Sequence, residues 1–149
     1  TEITKLADKM RDESEEKNRQ LREHTMELAA DPLKPFVAPK ADDAVPHLEL
    51  APLQNAVARR QKSAKAFDAK QRDDRTVMRL ERALSRTEGL PGRPWYKHHV
   101  YAPGFYTGYG VKTLPGVREA IEQRKWTDAN AQAVILAGVL NRYAEMLEK

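Results

Sequence analysis

Residues 90–117 of the chain read LPGRPWYKHHVYAPGFYTGYGVKTLPGV. This stretch holds four of the nine prolines, five of the seven glycines and four of the five tyrosines. Proline fixes φ and removes a backbone donor, and glycine permits backbone conformations that other residues avoid, so the stretch is not a helix. Disordered segments are poor in aromatic residues, whereas large aromatic groups gain free energy by burial. We therefore predict a long, ordered loop.

Helical periodicity precedes this loop. Apolar residues recur at helical spacing over residues 2–30, from about Pro52 to Phe67, and from about Asp73 to Arg86. Residues 11–20 carry no strong apolar side chain, so they form either a solvated helix or a break between two helices. Four prolines within residues 31–50 exclude a continuous helix there and indicate an extended connector.

Two further helices are predicted after the loop. Thr113 is placed to cap a short helix from Pro115 to about Arg124, and Thr127 to cap the last helix. Residues 133–140 are apolar nearly all round, which indicates a helix buried from several sides, and Gly138 allows a close neighbour. The expected fold is all-α, an up-and-down bundle of four to five helices without a substantial sheet. Its long ordered loop, rich in Pro, Gly and aromatic residues, lies before the last two helices.

Composition sets limits on the class of protein. A length of 149 residues fits a single domain with a sizeable core, and the net charge of +4 is mild and mostly balanced. A nucleic-acid-binding protein more often shows a one-sided basic excess, so we expect no nucleic-acid partner. The chain contains no cysteine, and no run of about 18 apolar residues marks a membrane span, so we expect no membrane contact.

Several short motifs occur in the same order, and with similar spacing, in one protein family. They are Leu80–Glu81–Arg82–Ala83, Gly89–Leu90–Pro91, Arg93–Pro94, Tyr96, His98, Tyr101–Ala102–Pro103, Tyr109 and Pro115–Gly116. In these motifs the chain resembles the transferrin receptor-like dimerisation domain, the C-terminal helical domain of the transferrin receptor and glutamate carboxypeptidase II family. The resemblance is carried by about the second half of the chain, and the first half fits it as helices in the expected order. We expect residues 1–149 to form one such domain.

The resemblance implies a larger parent protein. Since the chain starts with Thr instead of Met, we expect it to be a piece of that protein. The family places a membrane anchor and a peptidase domain upstream, with the helical domain on the extracellular or lumenal side and a homodimer as the assembly. Its peptidases hold two zinc ions in the separate peptidase domain, whereas the transferrin receptor itself lacks peptidase activity. We expect no cofactor in this chain.

The resemblance also assigns a role to the loop, which in the family's peptidases reaches toward the active site. There a Lys–Tyr pair helps to hold the C-terminal glutamate carboxylate of the substrate. That pair falls on Gly108 and Tyr109, so the tyrosine matches and the lysine does not. A missing ammonium removes a charge-assisted contact, which puts glutamate preference in doubt, although Lys112 is close enough in sequence to substitute.

The residues themselves indicate no catalytic centre in this chain. None of the four histidines lies in a zinc-ligand pattern, and adjacent side chains such as His98 and His99 point in different directions. We expect one of them to be buried and hydrogen-bonded beneath the loop and the other to be exposed. The chain shows no nucleophile motif either, so we predict that it is not an enzyme. The resemblance implies that it is a dimerisation module, and the alternative is an independent protein- or nucleic-acid-binding adaptor.

Within the loop, the aromatic residues divide into two groups. Trp95, Tyr96 and Tyr101 are predicted to anchor the loop to the last helix. Residues 105–109 are predicted to form an exposed tip, because glycines surround the aromatic groups there. The resemblance implies that this tip faces the peptidase domain.

Overall fold

The computed structural model describes residues 2–67 and 73–149, which form six helices and one two-stranded sheet. The chain divides into two compact units, one ending at His47 and the other running from Leu48 to Lys149. The mostly helical fold is confirmed, but the small sheet corrects the all-α prediction. The expectation of a single domain over residues 1–149 stays a prediction.

The first unit consists of two helices and an extended connector. Helix α1 spans Glu2–Arg22 and helix α2 spans Thr25–Leu28. The charged segment 11–20 is therefore a continuous helix, and the chain breaks later, at His24, whose φ of 56° is left-handed. Asn18 on α1 makes two backbone hydrogen bonds of 2.8 Å to Asp42 of the connector. Lys17 lies 2.5 Å from the Asp42 carboxylate, so polar contacts fix the connector along the helix.

The second unit is built on two long helices that run in the same direction. Helix α3 spans Ala51–Ala66, with Pro52 in its first turn as predicted, and helix α6 spans Trp126–Leu147. At one end, the Glu49 backbone N–H donates to Asn130 of α6 at 2.9 Å. At the other end, Arg59 and Ser63 of α3 bond to Glu148, which follows α6. These hydrogen bonds lower the pKa of Glu148 to about 2.

Helix α4 spans Asp74–Ala83, and the C-terminal end of α4 contacts α6. Asp73 caps this helix, since its carboxylate accepts the Thr76 backbone N–H at 2.8 Å. Arg142 of α6 donates to the carbonyls of Ala83 and Ser85 at 2.8 and 3.0 Å. It thereby satisfies acceptors that the last turn of a helix leaves open.

Helix α5 spans Pro115–Glu122 and forms an antiparallel helical hairpin with α6. The two predicted threonine caps are wrong, because α5 follows Leu114 and α6 follows Lys125, and neither helix has a side-chain cap. Thr113 instead lies in a strand, and Thr127 lies inside α6. A Cβ at Gly116 would lie 2.6 Å from the Gln132 Oε1 atom, so a larger residue there would require the Gln132 side chain to move.

A short hairpin interrupts the central loop. Strand β1, Tyr101–Pro103, pairs antiparallel with strand β2, Val111–Thr113, with Ala102 opposite Lys112. This pairing satisfies backbone N–H and C=O groups within the loop and places residues 101–103 beside residues 111–113.

Helix α6 supplies much of the core of the second unit. Its buried residues are Ala129, Ala133, Leu136, Ala137, Val139, Leu140, Ala144 and Leu147. The helix nevertheless has one open side, where Val134 is 58% exposed. The predicted close neighbour of Gly138 is absent within the described residues, because a Cβ built there meets nothing within 4 Å. None of the described helices is long and apolar enough to cross a membrane.

Two valines on α6 provide a matched test of this core. Val139 is 2% exposed, so Val139→Ala should lower the free energy of unfolding by about 1–3 kcal/mol through lost burial and a residual cavity. Val134→Ala should change it by no more than about 0.5 kcal/mol, because alanine is the better helix former and little burial is lost. Urea titrations of both variants make the comparison. Equal losses would show that the two sides of α6 are not distinguished as described.

Candidate functional site

The first half of the central loop folds back on itself after α4. Three backbone N–H groups, of Arg86, Leu90 and His99, donate to carbonyls of Lys97, Tyr96 and Leu84 at 2.9–3.0 Å. Gly89 makes this return possible, because its φ is 70° and a Cβ there would lie 2.3 Å from the carbonyl oxygen of Pro94. Gly89 therefore shapes the loop, and α4 ends at Ala83, earlier than the predicted end near Arg86.

A buried ion pair joins the loop to α5. The Arg93 Nη2 atom lies 2.6 Å from the Glu119 Oε2 atom, and the two side chains are only 7% and 10% exposed. The guanidinium also lies over two aromatic rings, with centroids 5.4 Å away at Tyr96 and 5.2 Å away at Phe105. Such cation–π contacts strengthen where water is excluded.

Both members of the pair also bind the backbone of the second half of the loop. Arg93 Nη1 donates to the carbonyl of Pro103 at 2.5 Å, and Glu119 Oε1 accepts the Phe105 N–H at 2.7 Å. We call this arrangement the clamp: the side chains of Arg93 and Glu119 with these two backbone groups. It satisfies backbone groups on both sides of Gly104.

Beyond the clamp, residues 104–110 form the tip. The Gly104 N–H donates to the Gly110 carbonyl at 2.8 Å, which closes the base of the tip. Gly108 has a φ of 65° and a Cβ there would meet nothing within 4 Å. Tyr106 is largely exposed and Tyr109 is fully exposed. The tip therefore presents exposed aromatic groups, and its base is hydrogen-bonded to Glu119 of α5.

The three predicted anchors behave differently from the expectation. Trp95 is 67% exposed, so its prediction as a buried anchor on the last helix is wrong. Tyr96 is half-buried against the Arg93 guanidinium. Tyr101 is 49% exposed, and its hydroxyl donates to Glu81 of α4 at 3.0 Å. The buried residues of the loop are instead Leu90, Arg93, His99, Ala102 and Gly104.

The two positions to which the resemblance assigns a Lys–Tyr pair both lie in the tip. Gly108 and Tyr109 are adjacent at its exposed end. Lys112 lies in β2 and forms an ion pair with Glu122 of α5. Its ammonium is therefore engaged with a carboxylate of the same unit.

The two adjacent histidines are both partly or fully buried, which corrects the expectation that one is exposed. The His98 side chain is 17% exposed, and its Nδ1 atom accepts the backbone N–H groups of Val100 and Tyr101. His99 is 4% exposed, and its Nε2 atom finds no hydrogen-bond partner among the described residues. Burial lowers the pKa of His99, and the nearby charge of Arg86 lowers it further. Over residues 2–67 and 73–149, no three His, Asp or Glu side chains gather in a metal-binding group.

A cavity of about 170 Å³ lies between the tip and the helical hairpin. Phe105 and Tyr106 form one wall, and Ala120, Gln123 and residues of α6 form another. A cavity of about 150 Å³ is large enough for benzene, so this one can admit an aromatic side chain.

The burial of His99 predicts a pH effect on stability. Its folded-state pKa lies below its ordinary value of about 6.5, so below that pH the unfolded chain binds a proton that the folded chain does not. The melting temperature should therefore fall as the pH drops from 7 to 5, and His99→Gln should reduce this dependence. His47→Gln, at an exposed position, is the control. An unchanged pH dependence in His99→Gln would contradict the assignment of a buried, neutral imidazole.

Comparisons with known proteins agree with the motifs in the loop. Residues 74–148, half of the chain, match the family described as the transferrin receptor-like dimerisation domain. A probable glutamate carboxypeptidase of Arabidopsis thaliana is 44% identical over 66 residues, which are 44% of this chain and 10% of that protein. A probable glutamate carboxypeptidase of Arthroderma benhamiae is 40% identical over 79 residues, or 50% of this chain and 11% of that protein. The chain thus spans only a small part of these relatives' length. It belongs to the transferrin receptor-like dimerisation domain family.

Proposed function

We propose that the chain is a non-catalytic structural and dimerisation module of a glutamate carboxypeptidase-like parent, with its tip facing the parent's peptidase domain. The observation that carries this proposal is the contrast within the loop. Arg93 and Glu119 hold its base in a buried ion pair, whereas Tyr106 and Tyr109 project from it into solvent. Exposed aromatic groups on a fixed base are typical of a contact surface, because little conformational entropy is lost when they bind.

The chemistry of the described residues supports a non-catalytic role. The buried acid and base, Glu119 and Arg93, are paired with each other and with backbone groups. In this proposal, the two zinc ions of an active parent are bound by its separate peptidase domain. The parent is a homodimer to which this chain contributes, as the description of its family supports. Family membership also favours this module over an independent adaptor, and no nucleic acid or membrane enters the proposal.

For substrate handling, we propose that Tyr109 contacts the C-terminal residue of a peptide substrate in an active parent. Gly108 offers no charge at the neighbouring position, and Lys112 is paired with Glu122. The contact that remains is a phenolic hydroxyl, which is a neutral hydrogen-bonding group. The expected preference for a C-terminal glutamate is therefore weaker than in a site that holds both Lys and Tyr.

Two exposed aromatic residues provide the test in the parent protein. Tyr109→Ala should lower kcat/KM for peptide substrates by about tenfold, the equivalent of one lost hydrogen bond to substrate, without changing the melting temperature or the dimer mass. Trp95→Ala is the matched control, since Trp95 is also exposed but lies outside the tip. Peptides ending in Glu and in Ala measure the preference. Equal activity of Tyr109→Ala and wild type would contradict the role of the tip in substrate handling.

A further inference from the structure

We infer that Arg93 and Glu119 are positioning residues whose role is to set the direction of the tip. This inference deepens the proposed function, since it names the side chains that place Tyr109 for its contact. It rests on four features of the structure: the partners of the ion pair, the position of those partners at the base of the tip, the contacts on the exit side of the tip, and the energetics of buried ion pairs.

The partners of the pair lie at one point of the loop. Apart from each other, Arg93 and Glu119 form side-chain hydrogen bonds with Pro103 and Phe105, the residues on either side of Gly104. Arg93 donates to a backbone carbonyl and Glu119 accepts from a backbone N–H. The two side chains together therefore bind one backbone acceptor and one backbone donor. The Phe105 ring also lies over the guanidinium. Rotation of the chain at Gly104 would break at least one of these contacts.

The tip beyond this point is exposed and is closed by its own hydrogen bonds. Residues 105–110 are all exposed, and hydrogen bonds within the tip run from Gly104 to Gly110 and from Gly108 back to Gly104. The exit is held by the pairing of β2 with β1 and by the ion pair of Lys112 with Glu122. Because the tip is closed on itself, its direction follows from the orientation of the backbone at residues 103–105.

The energetics of a buried ion pair support a positioning role over a purely stabilising one. Removing two charges from water costs free energy that offsets much of their mutual attraction. Apolar replacements of similar volume are therefore often neutral or stabilising for the fold. The Arg93 Nε atom is moreover buried without a hydrogen-bond partner in the described part of the chain. An apolar pair would fill this space at no such cost, but it would offer neither a donor to Pro103 nor an acceptor to Phe105.

The double variant Arg93→Met/Glu119→Met separates the two roles in this chain. Methionine is flexible and apolar and fills the space of both side chains, so the melting temperature should stay close to that of the wild type. Amide hydrogen exchange should nevertheless become at least about tenfold faster at Phe105, which loses its acceptor, and at Gly104. The amide of His99, bonded to Leu84 outside the clamp, should keep its protection and serves as the internal reference.

A second pair of variants covers the case in which the double variant does not fold. Glu119→Gln and Glu122→Gln are the same substitution one turn apart on α5, in a buried and an exposed ion pair respectively. A neutral amide cannot offer oxygen to both Arg93 and Phe105, so Glu119→Gln should accelerate exchange at Phe105 or Gly104, and Glu122→Gln should not. Wild-type exchange rates at both amides in the folded double variant, or in Glu119→Gln, would overturn the inference.

The same variants distinguish failure of this inference from failure of the proposed function. Hydrogen exchange in the chain alone reports the order of the tip, whether or not the tip contacts anything. If exchange accelerates as expected but the parent carrying the double variant keeps wild-type kcat/KM, the clamp positions the tip and the proposed substrate role of the tip is wrong. If exchange is unchanged, the positioning role is wrong irrespective of the kinetics.

Discussion

The central loop depends on one constraint, the burial of Arg93 and Glu119 as a mutually neutralising pair. Neither charge is tolerated alone in that environment, since an uncompensated buried charge is strongly destabilising. The pair therefore requires that the turn from Gly89 to Pro94, the end of strand β1 and helix α5 meet at one place. The remaining hydrogen-bonding capacity of the two side chains is directed to the backbone at Pro103 and Phe105. A loop rich in proline and glycine acquires a defined path in this way.

The same constraint divides the loop into a buried base and an exposed tip. Leu90, His99 and Ala102 are buried below the pair, whereas Tyr106 and Tyr109 lie beyond it in solvent. The scaffold that supports the base is the helical unit of α3, α5 and α6, whose apolar residues are its main source of stability. Stability is thus supplied mainly by the helices.

The sequence predicted the periodic elements well and the long-range contacts poorly. Apolar spacing predicted α3, α4, α5 and α6, because helical periodicity is a local signal. The buried partner of Arg93 lies 26 residues away on α5, and no local pattern connects the two. For the same reason Trp95 was misjudged: its size favours burial, but exposure depends on which neighbours the fold supplies. The exposed tip was predictable from glycine and aromatic spacing, whereas the hairpin formed by β1 and β2 was too short to show a periodic pattern.

A double-mutant cycle between Arg93 and Glu119 is the most direct test that the pair organises the loop. The free energies of unfolding of Arg93→Met, Glu119→Met and the double variant are measured by denaturant titration of the same chain. The account predicts a loss of about 3–5 kcal/mol for each single variant and a smaller loss for the double variant than for either single one. Small single losses that simply add in the double variant would show that the two side chains are not coupled and would contradict the account.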